Sequence, residues 1–318
     1  MKNSNQFGLL WSGTLIPALL AALLLSASPV LADDSENSWS SEAEEGPWYF
    51  SAGLTGMAGT YHASTLRDDF YSGGIILGAD YLEQFGLTFG YTRSVINFKN
   101  GAPATNQNEF FLGGHKNFRP DGMKGTIGLR LDGHYTDNDD LTGNTDQVWA
   151  FAPILSFSAL DSSYYADIGY AYSDYQNNLN VHQFTPTVGF AFNQKSDWVQ
   201  LRGYFINLSN SNRAQGKKNT SAAQVKWTHW FAPENLLKLD NLSLGGMVGE
   251  RVYAVDHDNL SVYNLADIQK GSVALDLSWK VAEETSLLLH AGHDSYENVT
   301  IQDKYSASAL VLSLSRKW

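Results

Sequence analysis

Apolar and polar residues alternate with a period of two along most of this 318-residue chain. In the segment 125–135, the odd positions read Gly, Ile, Leu, Leu, Gly, Tyr, and the even positions between them are mostly polar. Successive side chains of a strand point to opposite faces, so this pattern gives each strand one apolar face. After position 46 no helical period of 3.6 persists over a useful length. The pattern predicts an all-β chain.

About fourteen such segments can be counted, a number that could be as low as 12 or as high as 16. The composition agrees, since glycine and aromatic residues are abundant and proline is scarce. The predicted strands are 47–61, 69–81, 85–98, 106–118, 123–136, 147–160, 163–176, 181–193, 197–208, 219–231, 241–254, 269–281, 285–297 and 305–318.

The connections between these segments fall into two alternating classes. Short ones lie at 82–84, 119–122, 161–162, 194–196 and 283–285, with one longer member at 232–240. Mostly longer, polar ones lie at 61–67, 99–105, 137–146, 209–218, 256–270 and 298–304. Short turns at one end and long loops at the other are typical of barrels that span a membrane.

The last strand ends on an aromatic residue, Trp318, after alternating apolar residues at Leu310, Leu312 and Leu314. It resembles the closing strand of Gram-negative outer-membrane β-barrels, although Arg316 departs from the usual pattern. The resemblance implies that these four residues form the signal read by the barrel assembly machinery. It also implies a transmembrane antiparallel up-and-down barrel over 47–318, similar to small monomeric fourteen-stranded porins. From this segment alone, the final strand of a soluble sandwich remains an alternative.

The amino terminus predicts export. A single Lys2, an apolar core and small residues before Ala32 are typical of a signal peptide over 1–32, with cleavage before Asp33. An uncleaved anchor helix is the alternative. The acidic, Ser-rich segment 33–46 cannot bury enough apolar surface to fold, so we expect a flexible periplasmic tail. Either it is only a tail or it docks on a periplasmic partner.

Aromatic residues are expected to form a girdle at each interface between membrane and water. The short-turn girdle would contain Trp48, Phe50, Phe85, Phe118, Tyr164, Phe192, Trp198, Phe231 and Trp318, and the long-loop girdle Tyr61, Tyr71, Phe98, Tyr135, Trp149 and Tyr175. Arg93, His229 and Glu250 share the parity of apolar neighbours, which places them at a rim or next to a bulge.

If the apolar parity faces lipid, the other parity lines a lumen wide enough for a water-filled passage. Charged residues of this parity are candidates for tuning ion selectivity, and each could equally be a solvated wall residue. The candidates are Glu109, His115, Arg130, Asp132, His134, Asp167, Arg202, Lys226, Asp276 and His290.

Other chemistries have weaker support. Without cysteine there are no disulfides or thiolate metal sites. The net charge of −12 disfavours nucleic-acid binding. Arg130, Asp132 and His134 share a strand face, but no nucleophile accompanies them. The segment 256–259, with Asp137, Asp139 and Asp140, offers oxygen ligands for a hard cation, or is simply solvated. We predict no catalytic residues, no metal and no cofactor.

These observations favour a passive outer-membrane channel for small hydrophilic solutes or ions, surrounded by lipid and lipopolysaccharide. An export or assembly barrel for a polysaccharide or surface protein is the alternative, and a barrel enzyme is a weaker one. The sequence leaves open whether the lumen is free or plugged.

Overall fold

The computed structural model describes residues 47–82 and 84–318. The predicted signal peptide, the Ala32–Asp33 cleavage site and the acidic tail lie outside these residues and stay predictions. The strands of the described chain are β1 (Trp48–His62), β2 (Arg67–Tyr81), β3 (Phe85–Phe98), β4 (Thr105–Phe118), β5 (Gly125–Asn138), β6 (Val148–Ala159), β7 (Tyr164–Tyr175), β8 (Leu179–Phe192), β9 (Asp197–Leu208), β10 (Asn219–Trp230), β11 (Asn241–Arg251), β12 (Val255–Asp256), β13 (Ser261–Val262), β14 (Ile268–Ala282), β15 (Thr285–Asn298) and β16 (Asp303–Lys317).

Within the described chain, fourteen of these strands form one closed antiparallel barrel, and β12 and β13 form a separate hairpin. Each barrel strand pairs with its neighbours in sequence, and β16 returns to β1, so the predicted up-and-down barrel is confirmed. The closing pair runs in unbroken register from Ser51 opposite Lys317 to His62 opposite Ser306. Closure satisfies the backbone of every wall strand, which a sheet in lipid requires.

The outer surface of the barrel is apolar over its middle. Leucines of the predicted lipid-facing parity are strongly exposed, with Leu87 at 60%, Leu112 at 62% and Leu310 at 59%. A continuous exposed apolar band of this kind is stable only in contact with lipid or another apolar surface. Among the described residues, no helix has the length and apolar character needed to cross a membrane.

The aromatic girdle is confirmed for most of its predicted members but not for four, since Phe98 has the inward parity of Ile96 and lies opposite Arg67. Trp48, Phe50 and Trp318 are exposed at the short-turn end, and Trp149 is exposed at the other. Tyr61, Tyr175 and Trp198 have the opposite parity and point inward. Tyr61 packs on a cluster with Tyr296 and Tyr305, Tyr175 is 3% exposed, and Trp198 is 8% exposed. A position near a strand end therefore predicts a girdle residue only if the side chain also has the outward parity.

The three charged residues of apolar parity lie at the barrel rims. His229 contacts Asp197, the first residue of β9, and Arg93 donates to Asn106 near the outer end of β4. Glu250 follows an irregularity of register between Val248 and Arg251. Gly249 there has φ of 119°, and a Cβ would lie 2.5 Å from the Ser221 carbonyl oxygen, so glycine is required.

Candidate functional site

The ten predicted wall residues all point into the lumen. Their side chains alternate with exposed apolar ones, as Arg130 and Asp132 do with Leu129 and Leu131 on β5. Several form ion pairs with each other or with their neighbours. Arg130 Nη2 lies 2.6 Å from Asp132 Oδ2, His290 Nδ1 lies 2.6 Å from Asp276 Oδ1, and Lys226 Nζ lies 3.3 Å from Asp276 Oδ2. Their influence on ion selectivity stays a prediction.

The other predicted wall residues pair with wall neighbours inside or outside this set of ten. His115 Nε2 lies 3.3 Å from Asp80 Oδ1 in the short-turn half of the barrel, where both side chains are about one-third exposed, at 32% and 40%. Asp167 lies opposite Thr187, which in turn lies opposite Arg202. His134 Nδ1 lies 3.5 Å from Glu109 Oε1, and both side chains are buried.

The lumen contains a segment that connects β11 to β14, residues 252–267, which we call the inner loop. Its residues Val252, Tyr253, Ala254 and Val255 are at most 1% exposed, and His257 is 4% exposed. The inner loop therefore leaves the rim and folds into the barrel, where β12 and β13 form its hairpin. The sequence had placed this stretch partly in a strand ending at 254 and partly in an outer loop, which is wrong for both parts.

Apolar contacts hold the inner loop against the far wall. Val255 and Val262 pack on Ala150, Ala152 and Ala171 of β6 and β7. Leu260 packs on Ile76 of β2 and Phe111 of β4. A loop anchored at β11 and β14 thus reaches strands on the opposite side, so it crosses the lumen.

Polar contacts fix the inner loop at defined points of the wall. Arg202 donates two hydrogen bonds to the carboxylate of Asp258, at 2.7 and 2.9 Å. Gln183 donates to the Val255 carbonyl at 2.7 Å and accepts from the Val255 amide at 3.0 Å. Glu109 accepts from the Val262 amide at 2.9 Å. Because these backbone groups and the Asp258 charge are paired, the loop can be buried without unsatisfied polar groups at these points.

Two arginines and Asp267 complete the attachment. Arg130 donates to the His257 carbonyl at 3.0 Å, and Arg251 Nη1 lies 3.6 Å from Asp256. Asp267, at the end of the inner loop, accepts from Arg67 and from Tyr305. Charged wall residues that were predicted as candidates for tuning ion selectivity thus partly serve to hold the inner loop.

The closed fourteen-stranded barrel is similar in fold to solved structures of channels. One similar solved structure is a TodX deltaS2S3 mutant monoaromatic hydrocarbon channel, at 10% identity, covering 85% of this chain and 90% of that one with a TM-score of 0.52. Another is the CymD monoaromatic hydrocarbon channel, at 9% identity, covering 86% and 88% with a TM-score of 0.52. No family model and no curated protein matches the chain.

The predicted cation ligands are separated by these contacts. Asp256 faces Arg251, and Asp258 is taken up by Arg202. Asp139 accepts from the side chain of Asn106, and Asp140 accepts from residues of its own loop, Thr142 and Thr145. Among the residues that the structure describes, no group of three or more His, Cys, Asp or Glu is arranged to hold a metal ion.

His257 is the most unusual titratable group of the inner loop. Burial, reinforced by the positive charges of Arg202 and Arg130, lowers the pKa of His257 from 6.5 to about 3. Burial alone would raise the pKa of Asp258, but the adjacent Arg202 outweighs it and holds that pKa below its usual range. The docked loop therefore combines a neutral imidazole with an ionised carboxylate.

Sequence reasoning missed two wall residues that receive the loop. The side chain of Gln183 hydrogen-bonds to both the carbonyl and the amide of Val255, and no local sequence feature distinguishes it from other wall glutamines. Gly169 leaves space for the imidazole, because a Cβ there would lie 2.8 Å from His257 Nε2. A glycine inside a strand was the available signal for a close approach.

Proposed function

We propose that this protein is an outer-membrane channel for small hydrophilic solutes or ions, in which the inner loop is the element that restricts passage. The observation that carries this proposal is the inner loop itself, which crosses the lumen and is fixed to the wall through Arg202 and Asp258. We place the long loops outside the cell and both chain ends in the periplasm, as in other barrels of this type.

The polarity of the wall supports a hydrophilic cargo. Lys226 and His290, the partners of the buried Asp276, are partly exposed inward at 19% and 30%, and the Asp80–His115 pair is more exposed still. An apolar solute would displace water from these charges without replacing its hydrogen bonds. The similar channels are titled for monoaromatic hydrocarbons, but that cargo is not supported by this wall.

The alternative classes have less support. The similar structures are channels, which favours transport over catalysis. His134 and Glu109 lie beside each other, but each is buried, and Glu109 is engaged by the inner loop. An export barrel would need a wider free lumen than the docked inner loop allows.

Excision of the inner loop tests the proposal. Arg251 pairs with Gln269, so a short glycine-containing turn can replace 252–267 and continue the hairpin. Single-channel conductance in planar bilayers is expected to rise severalfold in this variant. The matched control shortens the loop 234–238 at the other end of the barrel and should conduct like the wild type. If the variant without the inner loop folds as a barrel but does not conduct, the channel proposal is wrong.

A further inference from the structure

One sector of the outer rim differs from the rest of the lipid-facing surface. On β3 to β6 the outward side chains form an aromatic row, with ring centroids 5.1 Å apart for Tyr91 and Phe110 and 4.4 Å apart for Tyr135 and Trp149. The outer halves of β15, β16 and β1 present Ser, His, Thr, Lys and Glu instead. A lipid-facing surface that becomes polar at one sector indicates a partner with polar groups.

Five charged residues form a continuous chain of ion pairs along this sector, which we call the rim ladder. Lys217 Nζ lies 2.8 Å from Glu250, and Lys270 Nζ lies 2.8 Å from the same carboxylate. Lys270 also lies 3.5 Å from Glu297, which lies 3.4 Å from Lys304. The rim ladder thus runs from the loop just before β10 through β11, β14 and β15 to β16.

The ammonium groups of the rim ladder lie further out than its carboxylates. The side chains of Lys217, Lys270 and Lys304 are 37%, 39% and 80% exposed, whereas those of Glu250 and Glu297 are 24% and 25% exposed. Three lysines against two glutamates leave a net charge of +1. Each ammonium has three donors, so donors remain available for an incoming anion.

Four of the five ladder residues lie in strands, and Lys217 lies in the loop just before β10. Register shifts in β11, between Val248 and Arg251, and in β14, between Gln269 and Gly271, lie at Glu250 and Lys270. Bulges of this kind redirect side chains and recur beside functional sites. The shift in β14 brings Lys270 to the outer face although it shares the parity of the inward-facing Asp276, whereas Glu250 keeps the outward parity of Val248.

A shallow groove of about 380 Å³ lies between Lys270 and Lys304 and is lined by Glu297, Ser295, Ser306 and His62. Just beyond it, Ser308 hydrogen-bonds to His293 at 2.9 Å and to His62 at 3.2 Å. The groove therefore offers cations at its edge and hydroxyl and imidazole groups beside them.

We infer that this groove binds the phosphorylated sugar headgroup of an outer-leaflet glycolipid. The phosphate accepts charge-assisted hydrogen bonds from donors of Lys270 and Lys304 that do not point to Glu297, which lies between the two lysines. The sugar hydroxyls meet Ser295, Ser306 and the histidines, and the acyl chains follow the apolar surface of Leu310 and Leu312. This inference rests on the proposed placement of the long loops in the outer leaflet.

Native mass spectrometry of the full barrel in detergent, with added bisphosphorylated lipid A, tests this inference. The Lys217→Gln/Lys270→Gln/Lys304→Gln variant should bind it at least tenfold more weakly, because it removes the ammonium groups that attract the phosphates. Lys116→Gln, which removes a lipid-side lysine beside Phe118 at the other rim, should bind like the wild type. Dephosphorylated lipid A should bind the wild type as weakly as the triple variant binds the phosphorylated form.

Four outcomes would overturn the site. The triple variant could bind lipid A unchanged, or the two lipid forms could bind the wild type equally, which would show that the acyl chains alone bind. The ladder substitutions could instead change only the oligomeric state, which would assign this sector to a second copy of the chain. Inorganic phosphate that binds as well as lipid A would indicate a site for the free ion. The triple variant should keep wild-type conductance in phosphatidylcholine bilayers, so the channel proposal is tested separately.

Discussion

The guanidinium of Arg202 and the carboxylate of Asp258 form a two-point ion pair between the wall and the inner loop, at 2.7 and 2.9 Å. Arg202 is buried, and its Nε also donates to Thr187 at 3.0 Å, which fixes the direction of the guanidinium. Removing either partner of such a buried pair is strongly destabilising, because the remaining charge would be left uncompensated. The position of the inner loop therefore depends strongly on these two residues.

Asp258→Asn should release the inner loop. Removing one partner of a buried ion pair costs about 3–5 kcal/mol. The ratio of closed to open channels should therefore fall on the order of a hundredfold, given about 1.4 kcal/mol for each factor of ten. Single-channel recordings measure this ratio. Arg202→Gln/Asp258→Asn should be less open than Asp258→Asn, since no unpaired charge remains, and equal opening in both variants would contradict the coupling.

Acidification should also release the inner loop, through His257. Its pKa is about 3 in the docked loop and close to 6.5 once the ring is in water, so the released loop binds the proton more tightly. Docking is therefore strongest above pH 6.5 and weakens by about 1.4 kcal/mol for each pH unit below it, until about pH 3.

Open probability recorded from pH 7.5 down to pH 4.5 checks this pH dependence. It should rise in the wild type and stay flat in His257→Gln, whose side chain does not titrate. A His257→Gln channel with the wild-type pH profile would assign the response to another group.

Lys226→Gln should increase cation preference. It removes a positive charge from a partly exposed stretch of wall and leaves Asp276 with His290. Reversal potentials across a salt gradient should shift at 0.1 M salt and converge with the wild type near 1 M, as the Debye length falls from about 10 Å to about 3 Å. Lys116→Gln, on the lipid side, is the matched control. Arg130→Glu is expected to act in the same direction, but it also removes the contact to the His257 carbonyl.

Deletion of 316–318 should prevent assembly. Trp318 exchanges two backbone hydrogen bonds with Phe50, at 3.1 and 2.9 Å, and Arg316 and Lys317 pair with Ala52 and Ser51. The truncated chain should accumulate as periplasmic aggregate and lose heat-modifiable migration, whereas Trp318→Phe should assemble. Normal folding of the truncated chain would show that the carboxyl-terminal residues are dispensable as an assembly signal.

The wall of the barrel was predictable because its signal is local. Each strand displays its own alternation, and β3 was predicted at 85–98, where the structure has Phe85–Phe98. Strand order followed from the connections, because antiparallel neighbours need only short turns. Parity alone then assigned the ten wall residues to the lumen.

The inner loop was not predictable in this way. Val252 to Val255 form an apolar run that continues the preceding strand pattern, so the run resembles the end of β11 rather than a segment leaving it. The residues that receive it, Gln183 and Arg202, are far away in sequence and have no local signature. Whether an apolar run faces lipid or an interior depends on these distant partners, and period-two alternation does not contain that information.

The seam between the first and last strands has a further consequence for biosynthesis. Thr55 and Ser313 lie 2.6 Å apart through their hydroxyl oxygens, although 258 positions separate them. Closing a flexible loop of that length costs about 5 kcal/mol in chain entropy. β1 has no second partner until β16 is in place, so an intermediate without β16 retains an open edge. The seam is therefore a checkpoint of assembly, because the wall has no free edge only when both strands are present.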